Sequence, residues 1–325
     1  MRITRLCKFG FKYLEGHKPE GVGLILTRRC NLDCSYCKIK DNSGKKNELT
    51  TREWKTIIDR FIENKHMHFI FTGGEPLLYD GIFELIDHTS KKAATSLITN
   101  TLLLDDGKFA KLKNLDYLTF SCDTSHRNKR LTKNTMNRFK KIADNSKRYG
   151  IKPSAILTVT SKNTEEIIPM IKEASRYDIP VLLSLIHSDQ GEYDFRGYTP
   201  ALEFRNEEEL RRLRRLQNRL IRLKKNGYKI SESKDFIRNM ETYAKREYVI
   251  DCPATKPFFT IDCDGYIKPC HDIKASGVNA LDFDDYEKMK EDVARTVPKN
   301  CNCYYDCYVG RNNSRIDLVR RVLRR

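Results

Sequence analysis

What this sequence lacks narrows the field before any motif is read. No apolar run approaches the roughly eighteen residues that a membrane-crossing helix needs, which excludes a helical transmembrane anchor. The opening stretch, MRITRLCKFGFKYLEGHKPE, has neither the continuous apolar segment nor the small-residue cleavage site of a secretory signal, so a cytoplasmic location is expected. There is no low-complexity linker and no internal repeat beyond a βα alternation. Negative charge is in short supply: 44 acidic residues face 61 Lys and Arg, a net +17. Such a field attracts nucleic acid, anionic membrane surfaces or an acidic partner, and it also serves plain solubility.

The rest of the composition is that of a folded, water-soluble protein. Hydrophobic residues make up 39% of the 325 and charged residues 32%. That length suits one large domain with a smaller one beside it. Cysteine is plentiful, with eleven residues, nine of them in two groups separated by about two hundred positions. In a cytosolic chain of this size, grouped thiols point to metal or cluster ligation rather than to a disulfide framework.

Short β-branched or aromatic runs alternate with stretches of helical period from residue 22 to about 187. Strands are expected at 22–27, 68–72, 95–99, 117–122, 154–159 and 181–186, with helices at 51–64, 81–92, 107–112, 135–149 and 164–177. This alternation specifies a parallel sheet, whose strand C-termini and following loops are the natural place for a ligand. Trp54, Ile57, Ile58 and Phe61 line one helical face and belong to the core. Further helices are expected at 207–225, opened by three glutamates and dense in arginine, and at 235–246. The arginines Arg211, Arg212, Arg214, Arg215, Arg219 and Arg222 read first as a solvated face, second as an anion-binding surface. Residues 311–325 form a basic amphipathic tail.

Directly after the first strand stand Cys30, Cys34 and Cys37 in a C-x3-C-x2-C spacing. A closed structural zinc site needs four ligands, and no fourth Cys or His is near in sequence. A 4Fe-4S cube has four irons, so three thiolates leave one open. With Tyr36 before the third cysteine, this motif resembles that of the radical S-adenosylmethionine (radical SAM) superfamily. Thr72-Gly73-Gly74-Glu75-Pro76, one strand later, resembles the superfamily's G-G-E-P segment, which binds the amino group of the methionine moiety. Asn100 stands where relatives show T-N-G, although Thr101 replaces the glycine, and Ser121 and Asp123 resemble an S-x-D pattern contacting the ribose or reaction centre. Thr158, Asn163, Ser184 and His187 are weaker candidates, and Cys122, alternating against Ser121 and Asp123, reads as a small buried hydrophobe.

The resemblance implies a partial (β/α)6 TIM-like barrel over residues 1–200 and reductive cleavage of S-adenosylmethionine at a 4Fe-4S cluster, with an external low-potential donor of flavodoxin or ferredoxin type. The resulting 5′-deoxyadenosyl radical abstracts hydrogen from a substrate C–H bond. A second cysteine group follows a helical connection at 201–250. Cys263-Asp264-Gly265 forms the turn of a hairpin over 258–262 and 266–268, with Cys252 and Cys270 beyond its ends, and then come Cys301, Cys303 and Cys307. This resembles the SPASM and twitch extensions of radical SAM enzymes, and it implies one auxiliary 4Fe-4S cluster over 251–310. Cys252, Cys270 and Cys307 are its expected ligands, the choice between Cys301 and Cys303 stays open, and Cys263 is expected to be unligated. A zinc site there is the rival. The implied substrate is a peptide or protein, oxidised, cross-linked or matured; a sugar, nucleoside or lipid precursor is the alternative. A different class altogether, a zinc-holding nucleic-acid-binding protein without enzymatic activity, is the less favoured reading.

Overall fold

The computed structural model describes residues 21–39, 47–122, 135–186, 199–247 and 258–298, together with Asp194 and Ala254. Strands β1 (Gly21–Ile25), β2 (His68–Thr72), β3 (Ala94–Thr99), β4 (Tyr117–Ser121), β5 (Lys152–Val159) and β6 (Val181–Leu185) pair in parallel, each with its successor. Between them run α1 (Thr51–Glu63), α2 (Ile82–Ser90), α3 (Asp106–Lys111), α4 (Thr135–Tyr149) and α5 (Thr164–Arg176). The caps are those the sequence supplies. Thr50 and Glu53 close a capping box on α1, and Asp105 accepts the Lys108 N–H at the start of α3. After β6 come α6 (Glu207–Lys225) and α7 (Lys234–Ala244), which pack on one another, and α8 (Tyr286–Ala294) sets Tyr286 against Phe61 and His66.

The hairpin β7 (Phe258–Ile261) and β8 (Ile267–Lys268) joins the main sheet, β7 lying parallel to β1. The result is an open eight-stranded sheet in the order β6-β5-β4-β3-β2-β1-β7-β8. β1 has no other neighbour on that side, so its free edge is covered by the hairpin. Arg60 of α1 secures the same region by donating to the carbonyls of Ala280 at 3.2 Å, Leu281 at 2.8 Å and Phe283 at 3.1 Å.

The two faces of the sheet differ in chemistry, as period-2 alternation dictates. Phe69, Phe71, Leu97, Leu118, Phe120, Leu157 and Phe259 are fully buried and share one core with Trp54, Ile57 and Phe61 of α1. Their strand neighbours on the opposite face are largely polar, some buried and some half-exposed: His68 bonds Ser96 at 2.7 Å, and Thr119 bonds Ser154 at 2.9 Å. Cys122 is fully buried in the core, as its alternation predicts. On α6, Arg214 pairs with Glu207 and Glu241, Arg219 with Glu165, and Arg212 with Glu208, so this is a solvated face laced with ion pairs. Among the described residues, no helix is long and apolar enough to cross a membrane.

Candidate functional site

The chain leaves β1 at Ile25, and the strand's pairing with β2 continues into the loops. Leu26 N–H donates to Thr72 O at 3.0 Å, Gly74 N–H to Thr27 O at 2.8 Å and Glu75 N–H to Arg29 O at 2.9 Å. The segment leading into the cysteine loop and the G-G-E-P segment are therefore one stitched unit. The glycines are required by close approach. A Cβ on Gly73, whose φ is +147°, would lie 2.4 Å from Thr27 O, and one on Gly74 would lie 2.3 Å from Arg29 O. Glu48 braces the same segment by accepting from Thr27 Oγ1 and, at 2.9 Å, from Arg29 Nη2.

Cys30, Cys34 and Cys37 follow at once, half-buried and outside any disulfide, with Cys37 N–H donating to Cys34 O at 3.0 Å. Tyr36 packs on the main core. Among the described residues, no three His, Cys, Asp or Glu side chains converge on a point where a single metal ion would sit. A 4Fe-4S cube takes each thiolate on a different iron and so spreads its ligands further apart than one zinc ion does. Three accessible thiols on one loop at the carboxyl edge of a parallel sheet, tied through the main chain to the glycine loop, fit that group.

Glu75 is fully buried and its carboxylate is used inward. Oε1 accepts from Thr99 Oγ1 at 2.7 Å and from Leu77 N–H at 3.1 Å, and Oε2 accepts from Asn100 N–H at 2.8 Å. Burial pushes its carboxyl above the usual range, against the pull of these three bonds. Pro76 opens the short 3-10 turn Pro76–Leu78 that Glu75 caps. Asn100 in turn reaches the cysteine loop, its Nδ2 donating to Asn31 Oδ1 at 2.7 Å.

Thr101 takes the conformation a glycine would, with φ of +62°. Arg138 of α4, a residue sequence reasoning passed over, sits behind it. Its Nη2 donates to Asn100 O at 2.7 Å, Thr101 Oγ1 at 2.8 Å and Ser121 O at 2.9 Å. In the sequence it is one of five basic residues on an amphipathic helix, and nothing local sets it apart. Ser121 itself is half-exposed at the end of β4. The side chain of Asn163 is spent locally, accepting from Thr160 N–H at 2.8 Å and donating to Thr158 O at 2.8 Å. Cys270 and Cys263 are buried near the hairpin. Asp123, His187, Cys252, Cys301, Cys303 and Cys307 lie outside the described residues.

Residues 24–174 match the Radical SAM superfamily. The match runs from within β1 to the last turn of α5. A probable GTP 3′,8-cyclase of Methanopyrus kandleri is 30% identical over 165 residues, 49% of this chain and 53% of that protein. A PqqA peptide cyclase of Bradyrhizobium diazoefficiens is 39% identical over 98 residues, 29% of this chain and 25% of that one. For the GTP 3′,8-cyclases it matches, the chain spans about half the length of the relative, and for the PqqA peptide cyclase about a quarter. Among solved structures, Streptococcus suis SuiB bound to precursor peptide SuiA aligns with a TM-score of 0.61 at 17% identity, over 82% of this chain and 64% of that one. The anSMEcpe structure with bound AdoMet aligns with a TM-score of 0.61 at 20% identity, over 85% and 83%. At these identities the likeness establishes a shared fold and nothing beyond it.

Proposed function

We propose that this chain is a radical SAM enzyme that cleaves S-adenosylmethionine reductively and abstracts hydrogen from a C–H bond of a peptide or protein, in an oxidation, cross-linking or maturation. The observation that carries the reading is the stitching of the cysteine loop to the G-G-E-P loop at the carboxyl edge of the sheet. Cys30, Cys34 and Cys37 hold a 4Fe-4S cluster, which when bound supplies the electron that breaks the carbon–sulfur bond of S-adenosylmethionine. The protein's own part is placement. Gly73 and Gly74 let the backbone come close to the methionine moiety, while Glu75 and Pro76 hold that backbone rigid. We assign Asn100 to the cofactor and Ser121 and Asp123 to the ribose or reaction centre, with Arg138 fixing the carbonyls of Asn100 and Ser121.

Peptide chemistry is supported by the names of the PqqA peptide cyclase and of SuiB with its precursor peptide. A nucleotide substrate is the second reading, supported by the GTP 3′,8-cyclases among the relatives. We assign Cys252, Cys270, Cys307 and one of Cys301 and Cys303 to a single auxiliary 4Fe-4S cluster of twitch or SPASM type. The buried position of Cys270, just past a hairpin built into the main sheet, supports this. A flavodoxin- or ferredoxin-type donor in the cytoplasm completes the scheme.

The test is anaerobic purification with iron and zinc analysis, then incubation with S-adenosylmethionine and dithionite. About eight irons per chain and formation of 5′-deoxyadenosine are expected if both clusters are full. Cys30→Ala should abolish cleavage, whereas Cys270→Ala should retain part of it. A colourless zinc protein that binds RNA with steep salt dependence would instead establish the nucleic-acid reading.

A further inference from the structure

Four charged side chains meet around Arg28, just ahead of the cysteine loop in the chain, without belonging to the site described above. Arg28 is 2% exposed. Its Nε donates to Asp262 Oδ1 at 3.1 Å, and its Nη2 donates to Asp262 Oδ2 and, at 2.7 Å, to Asp194 Oδ2. Lys268, fully buried, donates to the same Asp194 oxygen at 2.7 Å. Asp262 is also fully buried and accepts the N–H of Cys263 at 2.8 Å, while the Asp194 N–H is tied to Asp272 O at 2.8 Å. The formal charges of the four cancel. They come from four separate pieces of chain: the exit of β1, the stretch after β6, the end of β7, and β8.

Stability alone gives little reason for such an arrangement, because taking charges out of water costs about as much as their pairing returns. Its place in the chain is more telling. Arg28 is two residues before Cys30 and Lys268 two before Cys270. Cα atoms two residues apart are separated by at most about 7.6 Å. The backbone of each cation thus lies next to that of an expected ligand, and charged groups around a ligand set are the protein's usual means of tuning a metal centre.

We propose that Arg28, Asp262, Asp194 and Lys268 form a charge-balanced buried quartet that sets the reduction potential of the cluster held by Cys30, Cys34 and Cys37. This rests on the cluster assignment made under Proposed function. Reduction adds an electron to the cluster. Loss of an anion from the quartet therefore favours the reduced state and raises the potential, and loss of a cation lowers it. A purely structural clasp has no reason to produce shifts of opposite sign.

The test is a redox titration of the anaerobically purified full chain, followed by electron paramagnetic resonance, using the signal that disappears in Cys30→Ala. Asp194→Asn, at the 19%-exposed member, should move the midpoint upward, and Lys268→Met should move it downward. The double variant, neutral again, should return close to the wild-type value. Circular dichroism melts establish that each variant is folded, and Lys268→Gln, which keeps a donor for Asp194, replaces the Met variant if that one is not. Shifts of the same sign in both single variants, or no shift in either, overturn the charge proposal while leaving the cluster assignment intact. A wild-type protein with no such signal overturns both.

Discussion

The loops after β2 and β3 meet the same demand, an unusual backbone conformation beside the cysteine loop, in opposite ways. After β2 the chain places Gly73 and Gly74, because the carbonyls of Thr27 and Arg29 occupy the space a Cβ would take. After β3 it places Thr101 at a φ of +62°, which a β-branched residue tolerates poorly, and holds it there with side-chain bonds. The contrast separates two kinds of constraint. A torsional cost of about 1–2 kcal/mol can be offset by a hydrogen bond to Arg138. A backbone collision at 2.3 Å cannot be offset by anything short of moving the loop.

Four substitutions break or sharpen that contrast. Gly74→Ala should have the largest effect, more than about 3 kcal/mol by forcing apart the stitched segments, and iron incorporation should fall to near background. Arg138→Ala removes the donor to three acceptors and should cost roughly 2–3 kcal/mol, measured as a lowered denaturation midpoint. With it should come faster amide exchange at residues 100–101. Glu75→Gln puts an amide N–H2 against an existing N–H or O–H donor and should cost about 1–3 kcal/mol, accompanied by weaker S-adenosylmethionine binding in calorimetry. The smallest change belongs to Thr101→Gly. Relief of the left-handed strain, the entropy of an added glycine and the lost bond to Arg138 nearly cancel, and thermal melts should shift by less than about 1 kcal/mol in equivalent stability. A large loss there would mean that the Thr101 hydroxyl, not the backbone, is what the loop needs.

Much of the scaffold was legible in the chain because its signals are local. The strand expected at 68–72 is His68–Thr72, and the helix expected at 207–225 is Glu207–Lys225. In both, periodicity and end signals agree with packing. Trp54 and Phe61 are core for the same reason. The cysteine spacing and the G-G-E-P segment were equally visible, being short and contiguous. Arg138 was not, because its partners lie 17 to 38 residues away and its own neighbourhood reads as an ordinary solvated helix. Nor was the structural work of Glu75 legible: its motif announces a segment that meets an ammonium group, and only the fold shows the carboxylate taking donors from Thr99, Leu77 and Asn100.

By itself the sequence determined the succession of the strands and of every helix but α8, the apolar face of α1, and the thiol and glycine motifs at the strand ends. These depend on side-chain period and on residues a few positions apart. Only the tertiary structure decided that the hairpin β7–β8 lies beside β1 rather than apart from it. It also decided that Arg28, Asp194, Asp262 and Lys268 share one buried cluster, and that the two motif loops are joined through their main chains. The physical reason is that sheet edges and buried charges are satisfied by whatever partner the fold brings near, and that partner lies dozens to hundreds of residues away in the chain.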